Sequence, residues 1–112
     1  MACRPTMYED GFGSPLARQE WEQVRQKDHI AASFLLARIH RVAAVRDSVI
    51  EAHPDLYDYN SQIYNFSYSG YCIYYAIVPS QQFSGCDVVL LVCGDNQDPQ
   101  LNSLAHQRRA NL

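Results

Sequence analysis

Residues 62–78 commit one part of this chain to a β-hairpin, and the rest must be folded around it. Gln62-Ile63-Tyr64-Asn65-Phe66-Ser67-Tyr68 and Tyr71-Cys72-Ile73-Tyr74-Tyr75-Ala76-Ile77-Val78 are rich in aromatic and β-branched side chains and flank the two-residue step Ser69-Gly70. Such a step suits a tight hairpin turn because glycine adopts positive φ without a steric cost. A longer polar loop from Pro79 to Gly85 leads into Asp87-Val88-Val89-Leu90-Leu91-Val92-Cys93, an apolar run of strand length. Ile63 and Phe66 do not alternate cleanly with Tyr64 and Tyr68, so the pattern leaves the facing of the first strand open.

The segments before the hairpin read as helices. Ser14-Pro15 pairs a capping residue with a proline in the first turn. It predicts a helix over about Leu16–Lys27, with Leu16, Trp21 and Val24 inward and Arg18, Glu22 and Arg25 toward solvent. Asp28 is placed to cap a second helix from His29, whose Ala32, Leu35, Ile39, Val42 and Val49 form an amphipathic stripe. His53-Pro54 ends it, since a residue before proline avoids helical angles. Asp98-Pro99 predicts a short terminal helix with Leu101, Leu104 and Ala105 on its apolar face. Residues 1–13 read as an irregular arm, with a weak strand signal at Met7-Tyr8-Glu9-Asp10 undercut by Gly11 and Gly13. With 112 residues the chain makes one domain. The expected fold is α+β: a helical hairpin packed on a twisted antiparallel sheet of three to four strands, followed by a short C-terminal helix.

Charge is divided along the chain. Residues 1–46 carry seven basic and five acidic side chains, whereas residues 47–107 carry seven acidic and no basic ones. Arg108 and Arg109 bring the total to −3, and are expected to offset the dipole of the terminal helix. Proteins that hold nucleic acid neutralise phosphates with Lys and Arg, so the sheet half is a poor surface for RNA or DNA. No apolar run approaches a membrane span, and Met-Ala-Cys-Arg-Pro-Thr has no apolar segment behind it, so a cytoplasmic protein is expected. The cysteines Cys3, Cys72, Cys86 and Cys93 lack the short-spaced pairs of a zinc site, and no metal or cofactor is implied. In the cytoplasm they are expected to be reduced, Cys72 and Cys93 as small buried hydrophobes within strands.

Three blocks carry a resemblance to a known family. They are Leu35-Leu36-Ala37-Arg38-Ile39-His40-Arg41-Val42-Ala43, then Gly70-Tyr71-Cys72-Ile73-Tyr74-Tyr75, then Val88-Val89-Leu90-Leu91-Val92-Cys93-Gly94-Asp95 with Gln100. In order and spacing they resemble the RelE/ParE toxin superfamily, nearest to its HigB-like addiction-module killer proteins, over roughly residues 16–107. Trp21 falls where the first helix of that family often has tryptophan. The resemblance implies two helices on a twisted sheet and, for active members, cleavage of messenger RNA on the ribosome. That chemistry needs preorganised cations to meet the charge built by an attacking 2′-hydroxyl.

This chain departs from the pattern at those cations. Asn65 stands where the family has arginine, Cys72 where its Gly-Tyr-Arg strand has another, and Gln97 at its lysine. The expectation is therefore a degenerate active site in a bacterial or phage protein that acts by binding and inhibiting a macromolecular partner, a protein first of all, in a toxin-antitoxin, phage or defence setting. The surface expected to do so comprises Tyr57, Tyr59, Tyr64, Asn65, Tyr68, Tyr71, Cys72, Asp95, Gln97 and Asp98. The tyrosines also fit plain sheet packing. An active ribosome-dependent endonuclease using His106, Tyr71 or Tyr74 with Arg38 and Arg41, a ParE-like gyrase poison, and an inert immunity or structural protein stay open as alternatives.

Overall fold

A computed structural model describes residues 2–52, 63–80, 82 and 85–112, with side chains left aside at residue 2 and over 45–52. The elements run β1 (Ala2–Met7), α1 (Leu16–Lys27), α2 (His29–Ala52), β2 (Tyr64–Tyr68), β3 (Tyr71–Pro79), β4 (Gly85–Asp95) and α3 (Gln100–Ala110). The sheet order is β1-β4-β3-β2. The fold is α+β, as expected, with α1 and α2 packed on the sheet. The sheet is mixed rather than antiparallel, because β1 joins β4 in parallel while the other pairs are antiparallel.

β1 is the main departure from the sequence reading, which treated residues 1–13 as an irregular arm. Pro5 and the nearby glycines read as loop, but Pro5 sits in an edge strand, where a missing N–H is tolerated. Cys3 pairs with Cys86 in register, and the two are joined by a disulfide. The expectation that all four cysteines are reduced is thereby corrected; Cys72 and Cys93 are free and buried, as expected.

The helix starts follow local chemistry. The Asp28 carboxylate accepts the Ala31 N–H at 3.0 Å, which caps α2 one residue after α1 ends and makes the hairpin turn very short. At α1 the expected serine cap is absent: Pro15 occupies the cap position without a side-chain bond, and Asp10 instead accepts the N–H groups of Phe12 and Ser14. Ala32, Leu35 and Ile39 are buried and Val42 packs beside them; the Val49 side chain lies outside the described set. The Trp21 indole N–H donates to the Ala32 carbonyl and ties α1 to α2. Ser69 (φ 53°) and Gly70 (φ 87°) form the expected turn between β2 and β3.

β4 is the spine of the molecule. Val88 through Cys93 are all buried. Successive strand residues point to opposite faces, so an uninterrupted buried run means that both faces are covered. Leu91 sits at a break in register: Tyr74 pairs with Val92 and Tyr75 with Leu90, leaving Leu91 without a β3 partner. The Leu101 side chain of α3 lies against Gly94, 3.1 Å from where a Cβ would stand.

Candidate functional site

Strand register divides the expected tyrosine surface between two faces. Cross-strand partners share a face, and Tyr68 stacks on Phe34 of α2 at 4.5 Å between ring centroids. Tyr64, Phe66 and Tyr68, with their partners Tyr75, Ile73 and Tyr71, therefore lie on the α2 side. Tyr64 stacks on Tyr75 at 5.4 Å, and the Arg38 guanidinium sits 5.0 Å over the Phe66 ring. Asn65, Cys72 and Tyr74 lie on the opposite side, Asn65 exposed and Cys72 buried. Tyr57 and Tyr59 fall outside the described residues.

Tyr71, Asp95 and Asp98 come together. They line a cleft of about 290 Å³ with Glu20, Gln23, Val24 and Lys27 of α1, Cys93 and Gly94 of β4, and Leu101 and Leu104 of α3. The α1 residues recur at spacings of three and four, which puts them on one helix face. The acidic rim is built by local turns. Asp95 accepts the Gln97 N–H at 2.8 Å, Asp98 accepts the Gln100 N–H at 2.9 Å, and the Asn96 N–H reaches the Gly70 carbonyl at 3.0 Å. These bonds hold the turn after β4 against the β2–β3 turn. Gln97 is exposed and bonds to the Asn96 side chain rather than lining the cleft.

Behind the cleft, its lining residue Glu20 is held in an ion pair with a residue far away in sequence. Arg108 of α3 donates from both terminal nitrogens to the Glu20 carboxylate, at 2.8 and 2.7 Å, and from Nη1 to the Leu91 carbonyl at 2.7 Å. Glu20 Oε1 also accepts the Cys93 N–H at 3.3 Å. A carbonyl and the N–H two residues on point to the same side of a strand, and here that side is the one β1 has left: its last bond to β4 is from Tyr8 N–H to Leu90 O. The pair thus satisfies edge groups of β4 that a longer β1 would have bonded. Arg108 is only 6% exposed and lies over the Tyr8 ring. Arg108 stands in the last turn of α3, where the dipole reading put it, and has this structural role besides.

The thiols are poorly suited to nucleophilic chemistry. Burial, then the Glu20 carboxylate and Cys72, push the Cys93 thiol up to about 12. Burial, then Asp95 and Asp98, raise Cys72. A reactive cysteine needs the opposite shift. Of the three catalytic candidates, Tyr71 is in the cleft, Tyr74 lies on the opposite side of the sheet from Tyr71, and His106 is exposed on α3 and does not line the cleft. Among the described residues no group of His, Cys, Asp or Glu could hold a metal ion.

A larger cleft of about 420 Å³ lies between β1, α1 and α2, where apolar Met7, Trp21 and Ile39 meet polar Glu9, Arg18 and His40. None of the expected site residues lies there. Glu20, Gln23 and Lys27 were missed as site residues because nothing in the first helix distinguishes them from a solvated face. No family model, curated protein or solved structure matches this chain. No described helix is long and apolar enough to cross a membrane.

Proposed function

We propose that this chain is a non-catalytic binding protein of RelE/ParE-like character, which engages and inhibits a protein partner through the Tyr71–Asp95–Asp98 cleft. The observation that carries this reading is the convergence of two exposed carboxylates and a tyrosine at a concave site, with Lys27 the one cation among the lining residues. Each carboxylate keeps an oxygen beyond its turn bond, and Tyr71 offers rigid amphipathic area of the kind enriched at interfaces. A basic segment of a partner is the matching ligand. The cleft holds Tyr71 without Tyr74 or His106, which weighs against an endonuclease centred on it. A toxin-antitoxin, phage or defence setting remains part of the proposal and comes from the family resemblance.

Fluorescence anisotropy with labelled arginine- and lysine-rich peptides tests the site. Binding should weaken roughly tenfold in the Asp95→Asn/Asp98→Asn double variant, about 1.4 kcal/mol, and should fall as salt is raised. Equal binding by variant and wild type removes the cleft from consideration. Cleavage of ribosome-bound messenger by the purified protein, lost in Tyr71→Phe or His106→Ala, would overturn the binding-only reading. Action in the cytoplasm is also proposed. A disulfide is the exception in a reducing cytoplasm, so alkylation trapping of Cys3 and Cys86 in cells bears directly on the location.

A further inference from the structure

The two edges of the sheet are built differently. Tyr8 N–H reaches inward to Leu90, so along β1 the alternate residues Thr6 and Arg4 also turn their backbone groups inward, and Cys3, Pro5 and Met7 turn theirs outward. Pro5 thus places its missing N–H on the open side, a common protection against edge-to-edge pairing. β2 has no such protection: Tyr64-Asn65-Phe66-Ser67-Tyr68 contains neither proline nor charge.

The outward groups of β2 follow from its turn. A two-residue hairpin loop makes Tyr68 and Tyr71 a hydrogen-bonded pair, and such pairs alternate along an antiparallel ladder. Phe66–Ile73 and Tyr64–Tyr75 are then also bonded inward, while Asn65 and Ser67 turn their N–H and C=O groups away from β3. Both residues are exposed, and among the described residues no backbone bond takes up those groups. The strand also reads nearly the same in both directions about Phe66: aromatic, polar, aromatic, polar, aromatic.

We propose that β2 pairs antiparallel with β2 of a second copy of this chain, about a two-fold axis at Phe66, joining the two sheets into one. In that register Asn65 meets Ser67 of the second copy, and every outward group of both residues in both strands is used. Phe66 meets its own counterpart at a non-bonded position, where side chains approach most closely. Tyr64 lies against Tyr68 of the second copy. A slip of one residue sets outward groups against inward ones, and a slip of two leaves outward groups unpaired within Tyr64–Tyr68. Phe34, 50% exposed although stacked on Tyr68, supplies apolar area beside the strand for the second copy to cover. A closed two-fold contact of this kind is the commonest way for a chain to associate with itself.

Sedimentation velocity of the full chain over a rising concentration series tests the pairing, and the expected result is a monomer–dimer equilibrium. Ser67→Pro deletes an outward N–H and Asn65→Lys adds charge to the edge; both sites are exposed, and circular dichroism checks that each variant is folded. Each should weaken association by roughly tenfold or more. Register is read by oxidising an Asn65→Cys chain mixed with a Ser67→Cys chain, which should cross-link when mixed and not separately. A wild type that stays monomeric, a dimer indifferent to both substitutions, or cross-linking of either cysteine variant alone would overturn the proposal. It does not rest on the cleft reading: a monomer that binds basic peptides refutes this pairing and leaves that site intact.

Discussion

Arg108 is assigned its role by what surrounds it rather than by its helix. In the last turn of α3 it reads as a charge that offsets the helix dipole, yet it is buried and spans Glu20 of α1 and the Leu91 carbonyl of β4. Truncating one member of such a pair strands the other and removes a donor from a buried carbonyl. Arg108→Ala should lower the unfolding free energy by about 2–4 kcal/mol in urea titrations, and Arg108→Lys by less. Cys93 makes a second residue-scale prediction. An unfolded thiol ionises near about 8.5, whereas the folded one is held up to about 12. A raised folded value means the unfolded chain loses its proton first, so the Cys93 contribution is complete below the unfolded value and is lost as pH rises toward the folded one. Between about pH 9 and about pH 11, wild-type stability should therefore fall more steeply than that of Cys93→Ala, by up to about 1.4 kcal/mol per pH unit. Equal slopes would place Cys93 in a wetter site than the structure shows.

Among the elements, those built from local signals were legible and β1 was not. The step at Asp28, the stripe Ala32–Leu35–Ile39 and the Ser69-Gly70 turn each depend on neighbours in sequence, and each appears where the pattern put it. β1 has no local pattern that overrides Pro5 and the glycines after it; it is a strand because β4 offers it an edge and Cys86 holds Cys3. The bond closes a sequence separation of 83 residues, and cross-links over long loops restrict the unfolded chain most. Replacing both cysteines by serine should lower stability by about 2–4 kcal/mol under oxidising conditions. Hydrogen exchange at the β1–β4 amides should rise before exchange at β3. Stability unchanged by the replacement, or by a reductant, would show that β1 is held by its ladder alone.

For the whole molecule, the division of charge becomes a division of surfaces. Apart from Arg4 on β1 the cations lie on the three helices, and the turn after β4 projects Asp95 and Asp98 beside a half-buried tyrosine. The salt dependence foreseen for basic peptides follows from that separation, because exposed charges are screened over about 8 Å at physiological ionic strength. By itself the amino-acid sequence determined the α+β class, the helical hairpin, the turn and the absence of basic side chains from residues 47–107, since these are matters of composition and of patterns a few residues long. Tertiary structure alone decided that β1 joins in parallel, that the tyrosines part onto two faces, and that Glu20 meets Arg108. It also decided which of the expected residues share a cleft. Each of these depends on register or on contacts between distant segments, and a strand's register, with a period of two, is set by what packs against it.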